Sequence, residues 1–175
     1  RDVAYLLYPA RWFPVSDYTA DRFASDFRIA VPNGYRVVAS GNAVAEANAP
    51  AGMRMEHFQF TQASFPGSIA VVRGDPKGVS ADGVTTQIYF RQSAGVAQAY
   101  GEEFGKAMTY FTGIMGLPVR KDLIVVETEN GTPNGYASPG VVFLSPRAIG
   151  TQLNAKLVAN EAAPQWWGGP GSPAT

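Results

Sequence analysis

The stretch Val158-Ala159-Asn160-Glu161-Ala162-Ala163-Pro164-Gln165-Trp166-Trp167-Gly168 decides what kind of fold this chain makes. Between Thr151 and Trp167, the apolar residues Leu153, Leu157, Val158 and Ala162 give one helical face. Pro164 interrupts that helix. It removes a backbone hydrogen bond, clashes with the preceding turn at a cost of about 3 kcal/mol, and pushes Ala163 away from helical dihedrals. The helix is therefore expected to kink or end there. Read alone, Glu161 is a carboxylate on a polar face, and Gln165, Trp166 and Trp167 are accounted for by packing, because paired aromatics bury a large area.

Upstream, Val96, Tyr100, Phe104, Ala107, Met108, Phe111 and Met115 recur at helical spacing, and Gly116 followed by Leu117-Pro118 is a stop signal. One amphipathic helix is expected there, with its aromatic stripe facing a core. Leu123 to Val126 and Val141 to Leu144 read as buried strands flanking a polar, glycine-rich loop from Glu127 to Gly140, and Ser145-Pro146 can open a helical turn. Before Gln92 the period is two. Phe23, Phe27, Ile29 and Val31 alternate with Ala24, Asp26, Arg28 and Ala30; Pro32-Asn33-Gly34 then turns the chain into a strand at Tyr35 to Ala39. Met53 to Gln62, Ser68 to Arg73 and Val84 to Phe90 continue the pattern, with a loop expected from Gly74 to Gly83. The strands should pair antiparallel.

Fourteen basic and 14 acidic side chains in 175 residues leave no net charge, so no polyelectrolyte partner organises this surface, and Arg120-Lys121 is too small a cluster for nucleic acid. The absence of Cys excludes disulfides, thiolate metal sites and cysteine nucleophiles. A single histidine, His57, excludes any site needing two imidazoles from this chain, and a lone strand histidine reads as a surface or satisfied core residue. No apolar run approaches the roughly 20 residues that span a bilayer. A start at Arg1 without a leader and a breaker-rich, flexible tail at 168–175 read as a piece of a longer protein.

Val158 to Gly168 resembles the zinc-binding helix of the aminopeptidase N family of gluzincin metallopeptidases, whose pattern is His-Glu-x-x-His-Gln-Trp-Trp/Phe-Gly. Two further stretches match in order. Ala10-Arg11-Trp12-Phe13-Pro14 with Asp17 is similar to a segment late in that family's β-saddle domain, and Asn134-Gly135-Tyr136-Ala137-Ser138-Pro139-Gly140 sits where the family carries its Gly-x-Met-Glu-Asn substrate loop. The resemblance covers nearly the whole chain. It implies an α+β fold: an antiparallel β-rich N-terminal part (residues 1–92, the end of a saddle domain), then the first half of a thermolysin-like α/β domain (93–167), then the tail.

The departures from the family pattern point away from its chemistry. A histidine pair at i and i+4 holds zinc while the intervening Glu acts as general base on the bound water. Here Asn160 and Pro164 occupy the two histidine positions, so Glu161 is at most a relic general base, and no cofactor is expected although the family uses zinc. The family's third ligand, a Glu, and its transition-state Tyr would fall after Thr175. The substrate loop Gly135, Tyr136, Ala137 and Ser138 carries no acid to bind an α-amino group. The expectation is thus an inactive member that binds or scaffolds a peptide or protein, contacts the rest of its parent chain, and can self-associate because apolar helix surface lacks cover. Family members lean toward export or membrane anchoring. Two alternatives stand: an active zinc aminopeptidase whose ligands lie elsewhere, and a structural interaction module with no peptide cleft.

Other patterns have ordinary readings. Asn130-Gly131-Thr132 fits a glycosylation acceptor only as a three-letter match weakened by Pro133; Asp75 and Asp82 read as solvated turn residues rather than calcium ligands; Gly168-Gly169-Pro170-Gly171 lacks the Lys-Ser/Thr and helix of a phosphate cradle.

Overall fold

The computed structural model of the chain describes residues 3–8, 11–14, 23–64 and 67–166. Ala10, Asp17, Trp167 and the 168–175 tail lie outside them. The fold is α+β, with two compact units that divide between Gly74 and Asp75.

Among its described residues the first unit is antiparallel throughout. Two three-stranded sheets form, one in the order β1 (Val3–Leu6), β6 (Ile69–Arg73), β3 (Tyr35–Ala39), the other in the order β2 (Phe23–Pro32), β5 (Met53–Ser64), β4 (Asn42–Val44). The period-two pattern of β2 holds: Phe23, Phe27 and Ile29 face inward and are half-buried, while Ala24, Asp26, Arg28 and Ala30 are exposed. The rings of the Trp12-Phe13 segment pack on that inner face, with Phe13 stacked on Phe23 at 5.3 Å and Trp12 tilted against Phe27 at 6.2 Å. One expectation changes. The turn after Pro32 does not pair β2 with β3 but passes the chain from one sheet to the other, because Val31, Val37, Ala39, Phe58 and Ile69 bury their side chains in one cluster drawn from both sheets.

The second unit is one five-stranded mixed sheet in the order β10 (Gly135–Ser138), β11 (Val141–Leu144), β9 (Leu123–Glu127), β8 (Val84–Tyr89), β7 (Lys77–Ala81). β8, β9 and β11 run parallel, and the outer strands β7 and β10 are antiparallel to their neighbours. Helix α1 (Ala97–Met115) packs against β7 and β8, and Tyr100, Phe104 and Met108 of its expected stripe are buried; a single-turn helix, α2 (Pro146–Ile149), follows β11. Gly101 and Gly105, one turn apart, allow the contact with β7. A Cβ on Gly101 would stand 2.5 Å from the Val79 side chain, and one on Gly105 would stand 2.8 Å from the Ala81 carbonyl oxygen.

Two loops of the sequence reading are in part strands. Lys77–Ala81 is β7, which pairs with β8 around an Asp82-Gly83 turn, and both strands belong to the second unit. Gly135–Ser138 is β10, the outermost strand, with Pro139-Gly140 turning into β11. Both strands are short, lack alternation and contain Gly, so their pairing rests on a neighbour rather than on their own pattern.

Candidate functional site around strand β10 and helix α3

Helix α3 (Ala155–Ala162) starts at Asn154, whose side-chain Oδ1 accepts from the Leu157 N–H at 3.1 Å. Val158 and Ala162 are buried, whereas Leu153 lies before the helix and is exposed rather than on its apolar face. The Ala163 N–H still donates to the Ala159 carbonyl, but Pro164 has no N–H for the next bond, so the α-helix ends and the chain continues as a 3-10 turn, Ala163–Trp166. The expected end is therefore where the proline puts it. The expected departure of Ala163 from helical dihedrals does not occur, for it sits at φ −53°, ψ −43°. Anchors beyond the proline hold it there.

Those anchors are Gln165 and Trp166. The Gln165 side chain, 3% exposed, accepts from the Gly140 N–H at 2.7 Å and donates to the Ser138 carbonyl at 3.2 Å, clamping both sides of the turn between β10 and β11. Trp166 Nε1 donates to the Gly116 carbonyl at 2.8 Å, and its ring lies 5.6 Å from that of Phe111. Gln165 thus has a bonding role that packing alone did not suggest; the amide's two-sided chemistry was the available signal.

The structure brings the two halves of the expected site together. Glu161 lies against Gly135, and a Cβ on Gly135 would collide with the Glu161 carboxylate. Ala137 packs on the core that includes Val158 and Ala162, and Tyr136 turns to the other face, with its ring 6.4 Å from that of Phe143. Asn134 O accepts from the Ser145 N–H, so in this antiparallel register the peptide groups of Gly135 and Ala137 point away from β11, toward the open edge of the sheet. Burial holds the Glu161 carboxyl above the usual carboxylate range, and among the described residues no hydrogen bond or ion pair to it is found. At the far end of the strand the Arg120 side chain lies over Gly140, where a Cβ would stand 2.5 Å from its Cδ, and burial lowers its guanidinium pKa.

These residues do not fit a zinc ion. Asn160 is exposed and offers a neutral amide, Pro164 offers no donor atom, and among the described residues no group of three or more His, Cys, Asp or Glu side chains could hold a metal. His57 lies in the other unit, 5% exposed, with its Nε2 2.9 Å from Asp26 Oδ2.

The sequence reading missed Glu127. It belongs to β9 rather than to the loop, is 1% exposed, and accepts from the N–H groups of Arg91, Gln92 and Ser93 and from the Ser93 hydroxyl at 2.7 Å. It ties the end of β9 to the segment leading into α1, and is structural.

No family model matches the sequence, and no curated protein matches it. Solved structures do match. The M1 zinc metallopeptidase from Deinococcus radiodurans superimposes with a TM-score of 0.67 over 97% of this chain at 15% identity, and a mutant of that enzyme does so with 0.66 over 95% at 14%. The fold is similar to that of M1 zinc metallopeptidases. The chain spans about two-fifths of the length of these structures, 41% and 40%. Among the described residues no helix is long and apolar enough to cross a membrane.

Proposed function

We propose that this chain is an aminopeptidase-N-like metallopeptidase domain that has lost zinc hydrolysis and uses the edge of β10 to hold an extended peptide or protein segment. The observation that carries the reading is the junction of α3 with β10. The helix that would supply two imidazoles supplies Asn160 and Pro164, yet Glu161 and Gln165 still pack against a four-residue strand with one edge open. Outward peptide groups on such a strand can pair with a ligand backbone by strand addition. In this reading the first unit is the end of a saddle domain and Glu161 is a relic general base. Exposed Tyr110, Ile114 and Leu117 on and just after α1 would meet the rest of a parent chain or a second copy.

The test is zinc analysis of the 175-residue chain beside an Asn160→His/Pro164→His variant. The wild-type chain should retain no zinc after dialysis, and the variant should bind it weakly, since two imidazoles fall short of the three protein ligands of a catalytic site. Aminopeptidase turnover should stay at background in both. One tightly bound zinc per wild-type chain would establish the competing reading, an active aminopeptidase with ligands elsewhere.

A further inference from the structure

We infer that the β10 edge selects an extended peptide with a lysine or arginine side chain opposite Gly135, and that Glu161 is the residue that reads it. The inference rests on the peptide-edge reading of β10 and names its ligand class.

Gly135 has no side chain, and the Glu161 carboxylate lies in the space a Cβ would take. That space belongs to the side-chain layer on the α3 face of the sheet, not to the line of backbone hydrogen bonds along its edge. A strand added beside β10 places alternate side chains in the same layer, with directly opposed Cβ positions about 4.5–5.5 Å apart. The residue opposite Gly135 is therefore within reach of the carboxylate. The ligand's backbone would pair with the outward peptide groups of Gly135 and Ala137.

Charge fixes the type of side chain. Glu161 is half-buried and, among the described residues, has neither a cation within ion-pair distance nor a hydrogen-bond donor. Its burial already costs the ionised form, which a cation brought by the ligand would restore through charge-assisted hydrogen bonds. A metal ion is a poor candidate for that cation because one carboxylate supplies too few ligands. An apolar or acidic side chain at this place would leave the carboxylate unpaired or repelled.

The experiment titrates the 175-residue chain with fluorophore-labelled, end-capped pentapeptides Val-Thr-Lys-Thr-Val and Val-Thr-Met-Thr-Val at low salt. The lysine peptide should bind about tenfold more tightly. Glu161→Gln should bring the two affinities within about twofold by removing the lysine advantage, without weakening the methionine peptide. Ala137→Pro, which removes an outward N–H without touching the β11 ladder, should weaken both peptides alike. Equal affinity of the two peptides for the wild-type chain would overturn the inference and leave the edge reading standing. No binding of either peptide, or binding indifferent to Ala137→Pro, would overturn both. If Glu161→Gln also loses the methionine peptide, the lysine-to-methionine ratio of the wild-type chain is compared between low and high salt: a ratio that salt does not reduce overturns the inference. A gain that requires a free peptide amino terminus in place of the lysine side chain overturns it too.

Discussion

Asp26 in the first unit and Glu161 in the second are both partly exposed carboxylates, and their surroundings push them in opposite directions. Asp26 accepts from Gln59 Nε2 at 2.7 Å, contacts His57 Nε2 at 2.9 Å and pairs with Arg28 at 2.8 Å; the Gln59 bond first, then that of His57, holds its pKa below the usual carboxylate value. Glu161 has no such partners among the described residues, and burial raises it. The lesson is that the two carboxylates do different work. One is already satisfied by its own sheet, and the other, among the described residues, is not. The cores differ too. The second unit buries Phe104, Tyr100, Leu123, Val125, Val142 and Leu144 at 0% exposure, whereas the cluster around Phe58 in the first unit sits between 2% and 7%.

The sharpest way to break this contrast is to empty the second core. Phe104→Ala should cost about 3–5 kcal/mol and Phe58→Ala, in the first unit, clearly less, measured by urea denaturation. Equal losses would show that the two cores are equally tight. Next in size, Glu127→Ala strips the acceptor from three backbone N–H groups and should cost about 2–3 kcal/mol, more than Asp26→Ala, whose carboxylate is itself open to water. A costlier Asp26→Ala would show that the exposed Asp26 contacts outweigh the buried ones of Glu127. Gly105→Ala should destabilise by about 1–2 kcal/mol as the new Cβ presses α1 off β7, despite the better helix propensity of Ala.

The smallest effect concerns pH. Because the folded-state pKa of Glu161 lies above its unfolded value, its ionisation opposes folding: the penalty is absent below the unfolded pKa and fully developed once pH passes the raised folded one. Glu161→Gln should therefore stabilise the chain near neutral pH by no more than about 0.5 kcal/mol, given its partial exposure to screening solvent. The gain should vanish in acid. For Asp26 the sign reverses, its contribution being lost as pH falls through its lowered pKa. Thermal melts of Glu161→Gln and Asp26→Asn from acid to neutral pH should thus slope oppositely against the wild type, and parallel slopes would dissolve the distinction.

Much of the architecture was legible because it follows local periods. The alternation at 23–31, the helical stripe at 96–115, the apolar runs at 123–126 and 141–144 and the break at Pro164 are each written in a few adjacent residues. β7 and β10 were not legible, since Lys77-Gly78-Val79-Ser80-Ala81 and Gly135-Tyr136-Ala137-Ser138 become strands only through a partner's backbone. Of the candidate site, Glu161 and Gly135 to Ser138 could be named from the sequence, but not their contact.

By itself the sequence determined that the helix must kink or end at Pro164, because a missing N–H is a covalent fact, and that Asn160 and Pro164 could not serve as a pair of zinc ligands. It also determined the chemistry available: one imidazole, no thiol and a lone acid in the decisive stretch. Only the tertiary structure decided that Gln165 clamps the turn after β10, that Glu127 is buried under three N–H groups, and that Glu161 stands against Gly135 with no partner among the described residues. The reason is sequence separation. Each of these contacts joins residues more than twenty positions apart, and at that range no local period says which backbone will arrive beside which side chain, only the packing of α3 and β9 does.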